Sequence, residues 1–332
     1  MTQALIVGAG AVGLRVARQL LATETVDRVV LQDVSSERLE WAVRNLGDRI
    51  DIQHYPFASS IDADVVVISS PQGTQLEIME RAIANSVPTV MVLDGLSETV
   101  AVLRLEEAAR EANVPVIIGA GFAPGLSCLL AAHASSWFDS VDEIHIAKVG
   151  TGGPACALVH HRALSRISYD WREEEWVRRP GGSGRELCWF PDPVGARDCY
   201  RAALPDPILL HHAFPSVKRI TARMAATRRD RLTASLPMLM PPHPEGGPGA
   251  IRVEIRGYRE KIQDVVVLGS SSRPAVAAAA LASLTVKWIL NNQIRITGMG
   301  GMAEMVIAKG FLSELFERGI RTEIFEGDSV SV

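Results

Sequence analysis

The chain is poor in cysteine. It has four in 332 residues (Cys128, Cys156, Cys188 and Cys199), and none of them forms a CxxC pair. A disulfide scaffold is thereby excluded, no metal is expected, and reduced thiols in a cytoplasmic protein are the natural reading. The chain also lacks any strong excess of one charge. A formal net charge of −4 gives no reason to expect a nucleic acid or a membrane surface as partner. No uncharged apolar run reaches the roughly 18 residues that a membrane-spanning helix needs. The opening MTQALIVGAG has no basic segment before its apolar run, so no secretory signal is expected there. Internal repeats and low-complexity tracts are missing as well. What remains is an ordinary globular composition, 47% hydrophobic and 22% charged, in a chain long enough for two domains.

The first 120 or so residues alternate short apolar runs with amphipathic runs of helical length. Ala4 to Gly8, Arg28 to Asp33, Asp64 to Ser69, Thr89 to Asp94 and Val114 to Gly119 read as strands. Their apolar residues are continuous, as strands buried on both faces of a parallel sheet require. Helices are expected over Val12 to Ala22, Ser36 to Leu46, Thr74 to Asn85 and Glu98 to Glu111, the last capped by Ser97. The alternation predicts an α/β fold, a Rossmann-type doubly wound parallel sheet. Beyond Gly119 the pattern predicts a helix over Gly125 to Trp137, a strand over Glu143 to Val149 and a helix over Ala155 to Tyr169. Residues 178–198 and 237–249 are rich in Pro and Gly and read as long irregular loops, at least one of them bordering a cleft or a subunit contact. IRVEIRGY and QDVVVLG read as a hairpin-like pair of strands. An Ala-rich helix follows over Pro274 to Leu290, then a shorter one near Ala303 to Arg318.

Gly8, Gly10 and Gly13 form G-x-G-x-x-G between the first strand and the first helix, and Asp33 ends the second strand. The context gives each residue a task. Gly8 permits the tight turn, Gly10 admits a pyrophosphate, and Gly13 lets helix and strand pack closely. The amides of Ala11 and Val12, at the helix N-terminus, suit the anionic pyrophosphate. Asp33 suits ribose hydroxyls and repels a 2′-phosphate, so NAD is expected, with NADP less favoured and Arg38 nearby as the one opposing feature. Ser69, Ser70 and Pro71 follow a strand at its C-terminal end, the edge that faces the ligand crevice in such sheets. Asp94 and Gly95 lie on the same edge.

At Gly119 to Ser127, GAGFAPGLS, the sequence resembles the saccharopine dehydrogenase family and the related lysine 6-dehydrogenases. Gly121, Phe122, Pro124, Gly125 and Ser127 occupy the places of that family's G-[FL]-x-P-G-x-[ST] element. The resemblance extends to VGTGGP (Val149 to Pro154) and TGMGGMAE (Thr297 to Glu304), where Met302 and Ala303 stand in place of the family's proline before the acidic residue. It implies hydride transfer at a C–N bond of an amino acid or opine-type substrate, through an imine. It also implies residues 1–122 with 272–332 as the dinucleotide-binding domain, 123–271 as the substrate and dimerisation domain, C-terminal helices returning to the first, and a homodimer. Phe122, Pro124 and Gly125 would border the cofactor, because a helix N-terminus there aims free N–H groups at a ligand.

Amine oxidation needs a base and hydrolysis needs an acid. His160, His161 and Asp94 are the candidate catalytic residues, with His211 and His212 a second histidine pair. Arg162, Arg166 and Arg172 are candidate carboxylate ligands. The run Lys218, Arg219, Arg223, Arg228, Arg229 and Arg231 reads as one basic helix face. Two other readings stay open: an aldehyde dehydrogenase of the glyceraldehyde-phosphate type with Cys128 as nucleophile at a helix N-terminus, and a dinucleotide-binding protein without catalysis.

Overall fold

A computed structural model describes residues 1–55 and 60–325. The first part of the chain alternates strand and helix: β1 (Gln3–Val7), α1 (Gly13–Ala22), β2 (Arg28–Asp33), α2 (Ser36–Leu46), β3 (Ile50–His54), β4 (Val65–Ile68), α3 (Gln75–Ala84), β5 (Thr89–Met91), α4 (Leu96–Leu103), α5 (Glu106–Glu111) and β6 (Pro115–Ile118). The middle follows as α6 (Leu126–Ser135), β7 (Ser140–Val149), α7 (Pro154–Ala163), β8 (Ile167–Arg172), β9 (Glu175–Pro180), β10 (Glu186–Phe190), β11 (Gly195–Arg201), α8 (Asp206–Ala213), β12 (Arg219–Ala225) and α9 (Arg228–Thr233). The chain continues with β13 (Gly249–Arg259), β14 (Ile262–Ser272), α10 (Pro274–Leu290), β15 (Gly298–Gly301), α11 (Met302–Met305), α12 (Ala308–Glu317) and β16 (Glu323–Ile324).

Seven strands make one all-parallel sheet in the order β15-β6-β5-β4-β1-β2-β3. The strand order reverses between β1 and β4, which puts the ligand crevice at their C-terminal ends. This is the Rossmann-like α/β fold expected from the strand pattern, with a second, mixed sheet beside it. The second sheet runs β10-β11-β12-β7-β13-β14-β16, with β8 on β12 and β9 on β8. Helix α10 returns to the first sheet against α1, β4 and β5. Its small side chains permit that close approach: 14 of its residues are buried, so both of its sides meet protein. One buried apolar cluster runs through both layers, from Ile6 and Val67 through Leu129 to Ile251. Among the described residues, no helix is long and apolar enough to cross a membrane.

Several expected elements take a different form. β3 and β15 were not foreseen. β3 exposes four of its five residues at the sheet edge, and β15 is built from Gly-Met-Gly-Gly, so neither carries a strand's usual composition. Glu98 to Glu111 is two helices, and Gly95, not Ser97, precedes the first. The helix expected to reach Tyr169 ends at Ala163, because Ile167, Tyr169 and Trp171 pair in β8. Residues 178–198 are mainly strand. Gly181, Gly182, Gly184, Pro191 and Pro193 sit between the strands and Pro180 and Gly195 at strand ends, while Cys188 and Phe190 point inward and Leu187 and Trp189 outward with the period of two that a strand imposes. The basic run is split: Arg219 and Arg223 lie on β12, whose Ile220, Ala222 and Met224 are buried, and Arg228, Arg229 and Arg231 lie on α9. Residues 237–248 are irregular, as expected.

Candidate active site

A cleft of ≈ 580 Å³ opens at the C-terminal ends of β1, β2, β4 and β5. One end is the glycine turn. Gly8 has φ 108°, and its amide bonds the Gln32 carbonyl at 2.7 Å. A Cβ on Gly13 would overlap the Gly8 carbonyl oxygen and crowd Ser69 Oγ. Ser69 Oγ in turn donates to the Gly8 carbonyl at 3.0 Å. These contacts pin the first turn of α1 against the strand ends. The amides of Ala11 and Val12 have no acceptor among the described residues, which leaves them open to an anion at the positive end of the helix dipole.

Asp33 lines this end and is 7% exposed. Its Oδ2 accepts from the Ala9 amide at 2.7 Å, and its Oδ1 accepts from the Ser35 amide at 2.8 Å. The carboxylate is thus held in one orientation, with lone pairs left for a ligand. Arg38 also lines the cleft, its guanidinium 3.7 Å from Asp33 Oδ2. The loop 237–248 reaches the same end: Pro244 and Glu245 are lining residues, and Glu245 pairs with Arg15 at 3.1 Å.

Ser69, Ser70, Pro71 and Gln72 form the middle of the cleft, and Phe122 and Ala123 its far wall. Beyond them lies a cluster built from three elements. Asp94 follows β5, Lys148 sits near the end of β7, and Cys156 and His160 lie one turn apart on α7. Lys148 is 2% exposed; its Nζ donates to the Ala123 carbonyl at 2.8 Å and lies 3.0 Å from His160 Nε2. An ammonium has donors only, so the imidazole nitrogen accepts and His160 is neutral, with its proton on Nδ1 facing Cys156 Sγ at 3.7 Å. Burial, and after it the charge of Lys148, holds His160 well below the ordinary histidine range. Burial likewise raises the Asp94 carboxyl, although the Cys156 thiol and Lys148 counter this. Burial also pushes the Cys156 thiol up, so at neutral pH it is a thiol. Ligand atoms of Asp94, Cys156 and His160 come within 4.8 Å of one another. The Lys148 ammonium beside His160 already supplies the positive charge that a metal would bring.

Among the residues expected at the site, the cleft gathers Gly8, Gly10, Ala11, Val12, Asp33, Ser69, Ser70, Pro71, Phe122, Asp94 and His160. Gly13 supports it from behind. Pro124, Gly125 and His161 are not on its wall. The amides expected to be free after Gly125 are taken, because Leu126 N bonds the Gly121 carbonyl at 3.0 Å and Ser127 N bonds the Phe122 carbonyl at 3.3 Å. This turn closes on itself and supports Phe122 and Ala123. His161 faces the other way and bonds the Leu236 carbonyl. His211 stacks on Trp171, and His212 binds Glu304. Cys128 is 1% exposed and off the cleft, its thiol pushed up by burial and by Asp206, so it cannot serve as the nucleophile of the aldehyde reading. Lys148 was missed, as was the role of Cys156. Both left a signal: a lone lysine inside the apolar strand IHIAKVG, and a Cys-x-x-x-His spacing that puts two polar side chains on one helix face.

No known protein-family model matches the chain. Among solved structures it is similar to the apo saccharopine dehydrogenase (L-Glu forming) of Saccharomyces cerevisiae, with a TM-score of 0.69 and 13% identity over 98% of this chain and 100% of that one. Looser matches cover the chain as fully. One is a myo-inositol dehydrogenase from Corynebacterium glutamicum, with a TM-score of 0.49 and 14% identity over 98% of this chain and 99% of that one. Another is GenD2 of gentamicin A biosynthesis in complex with NAD, with a TM-score of 0.47 and 13% identity over 98% of this chain and 97% of that one. The first match establishes a shared fold across the whole chain.

Proposed function

We propose that this chain is an NAD-dependent oxidoreductase acting on a C–N bond of an amine or amino-acid-like substrate. The observation that carries the reading is one cleft with the open amides of Ala11 and Val12 at one end and the Asp94–Cys156–His160–Lys148 cluster at the other. The cleft fits a dinucleotide: free helix amides for the pyrophosphate, an oriented Asp33 for ribose hydroxyls, and Ser69, Ser70 and Pro71 along the path to Phe122. When bound, the nicotinamide ring would supply or accept the hydride.

The chain's own residues manage charge and protons. Lys148 keeps a positive charge near the reacting carbon and so favours the neutral form of a neighbouring amine, the form from which hydride can leave. Asp94, raised by burial, holds a proton more readily than an ordinary carboxylate and is the group in this reading that takes and returns one. Neutral His160 offers Nδ1–H toward Cys156 and is held by Lys148 through Nε2. Phe122 and Ala123 shield this end from water. In this reading residues 1–122 and 272–332 carry the cofactor, and residues 123–271 carry the substrate and a homodimer contact. This reading puts the chain's work in the cytoplasm, a compartment in which its few cysteines would stay reduced.

A second reading substitutes an alcohol for the amine. It is favoured by the ammonium of Lys148 at 3.0 Å from a neutral imidazole, a pair suited to a developing alkoxide. The experiment that tests both is calorimetric titration with NADH, followed by NAD reduction over matched panels of amines, amino acids and alcohols. Saturable NADH binding with turnover of amines supports the first reading, and turnover of alcohols alone supports the second. Absence of NADH binding overturns both.

A further inference from the structure

A second cavity of ≈ 890 Å³ adjoins the cleft, and Gln72 and Val159 line both. Val159 directly precedes His160, so the doorway opens beside the reacting cluster. Among the described residues, Gln72 Nε2 is buried there without a hydrogen-bond partner. Leu96, Val100, Ala203 and Ile208 give the chamber an apolar interior. Its outer wall is one face of the β8–β9 pair. Tyr169 stands opposite Arg178 in that register, and the Arg178 guanidinium lies 6.0 Å from the Tyr169 ring centre. Arg166 joins them from the turn after α7, its carbonyl held by the Gly181 amide at 2.9 Å.

The charges in this wall are one-sided. Among the described residues no Asp or Glu lines the chamber, although the chain has 38 acidic residues against 34 Lys and Arg. Neighbouring arginines are engaged: Arg201 with Asp170 at 3.0 Å and Arg223 with Glu186 at 2.6 Å. Arg166 and Arg178 have no carboxylate partner among the described residues. Two unpaired guanidinium groups at one wall of an apolar chamber suit a carboxylate, which each can meet through a forked pair of donors. Both guanidinium groups are exposed at this wall, and an α-ammonium group beside the carboxylate would face two like charges with no acid among the lining residues to offset them.

We propose that this chamber is the substrate-binding site and that it takes a carboxylate joined by an apolar chain to the reacting group, with no ammonium next to the carboxylate. The inference rests on the oxidoreductase reading for which group reacts, and it narrows the amino-acid-like class to acids whose nitrogen lies at the far end. Gln72 donates to the chain's polar group at the doorway, Val100 and Ile208 enclose its apolar part, and Arg166 and Arg178 hold its acid end.

The test uses octanoate, octanol and 2-aminooctanoate as probes of the intact protein by calorimetry, without cofactor. Octanoate is expected to bind at least fivefold more tightly than either of the others. Arg166→Met and Arg178→Met are each expected to weaken octanoate at least fivefold while the circular dichroism spectrum is retained. A smaller preference for octanoate, or variants that bind it as the parent does, overturns the proposal. NADH titration runs in parallel. Octanoate binding with the stated preference in a protein that ignores NADH would overturn the oxidoreductase reading and keep the chamber. NADH binding with no arginine effect would do the reverse.

Discussion

Asp33 illustrates how one side chain carries a cofactor choice. Its carboxylate is oriented by two backbone amides, and a 2′-phosphate placed beside it would meet a fixed negative charge. Arg38, 3.7 Å away, partly offsets that repulsion. The expected outcome is NAD binding at least tenfold tighter than NADP, about 1.4 kcal/mol. Asp33→Ser narrows the gap, because it leaves Arg38 without its partner. Equal affinities in the unaltered protein would refute the assignment. At the reacting end, Lys148→Met removes the charge that favours a neutral amine and His160→Ala removes the imidazole that holds Lys148, and each is expected to lower turnover by about a hundredfold, the scale of losing one preorganised charge or hydrogen-bonding group. Cys128→Ser, off the cleft and buried, should change turnover no more than a few-fold. A thousandfold loss in a folded Cys128→Ser protein would restore the aldehyde reading.

At the scale of elements, α8 is tied to the first sheet by a small ion cluster. His212 Nδ1 lies 3.0 Å from Glu304 on α11, and its Nε2 lies 3.5 Å from Glu106 on α5. Hydrogen bonding to Glu304 raises the histidine to about 9, against the opposing effect of burial. A group raised on folding adds stability that is fully present below its unfolded pKa, near 6.5, and is lost as pH climbs through about 9. Because the side chain is 31% exposed, solvent screening leaves about 1 kcal/mol of this, or a melting shift of about 2 °C in a chain of this size. The melting temperature should therefore fall more between pH 7 and pH 10 in the parent than in His212→Gln. Identical profiles would show the cluster to be without weight. The loop 237–248 is the other informative element, since its Glu245–Arg15 pair joins it to the first turns of α1. NADH should protect it from limited proteolysis, and Glu245→Ala should weaken that protection. A cleavage rate indifferent to NADH would separate the loop from the cofactor end.

At the scale of the whole molecule, the cleft lies between two layers that share one buried core. A ligand bound there to the folded state alone stabilises everything that closes around it. NADH at about a hundred times its dissociation constant is expected to add about 2.7 kcal/mol of stability and to raise the melting temperature as one transition. Two transitions, only one of them responding to NADH, would mean that the layers unfold independently. The edge strand β10 exposes Leu187 and Trp189, at 59% and 62%, and a strand edge of this kind is a ready place for a second copy to pair. Sedimentation is expected to show a dimer that Trp189→Asp weakens, whereas a monomer at every concentration would remove that contact.

How much of this the sequence alone determined follows from the range of the forces involved. The five foreseen strands, the turn at Gly8, Gly10 and Gly13, and Asp33 at the end of β2 depend on backbone conformation and on apolar patterning over a few residues, and both are written locally. Pro274–Leu290 was legible for the same reason, as an Ala-rich run behind a proline. Only the tertiary structure decided the rest. β15 is a strand because β6 pairs with it, in spite of its glycines. The strands hidden in 178–198 needed a neighbouring sheet to turn a Pro- and Gly-marked segment into paired edges. Asp94, Lys148 and His160 stand 54 and 12 residues apart in the chain, and no local pattern joins them. They meet because β5, β7 and α7 end on the same cleft, where burial lowers the proton affinity of one, raises that of another, and makes an ordinary set of polar residues into a reacting one.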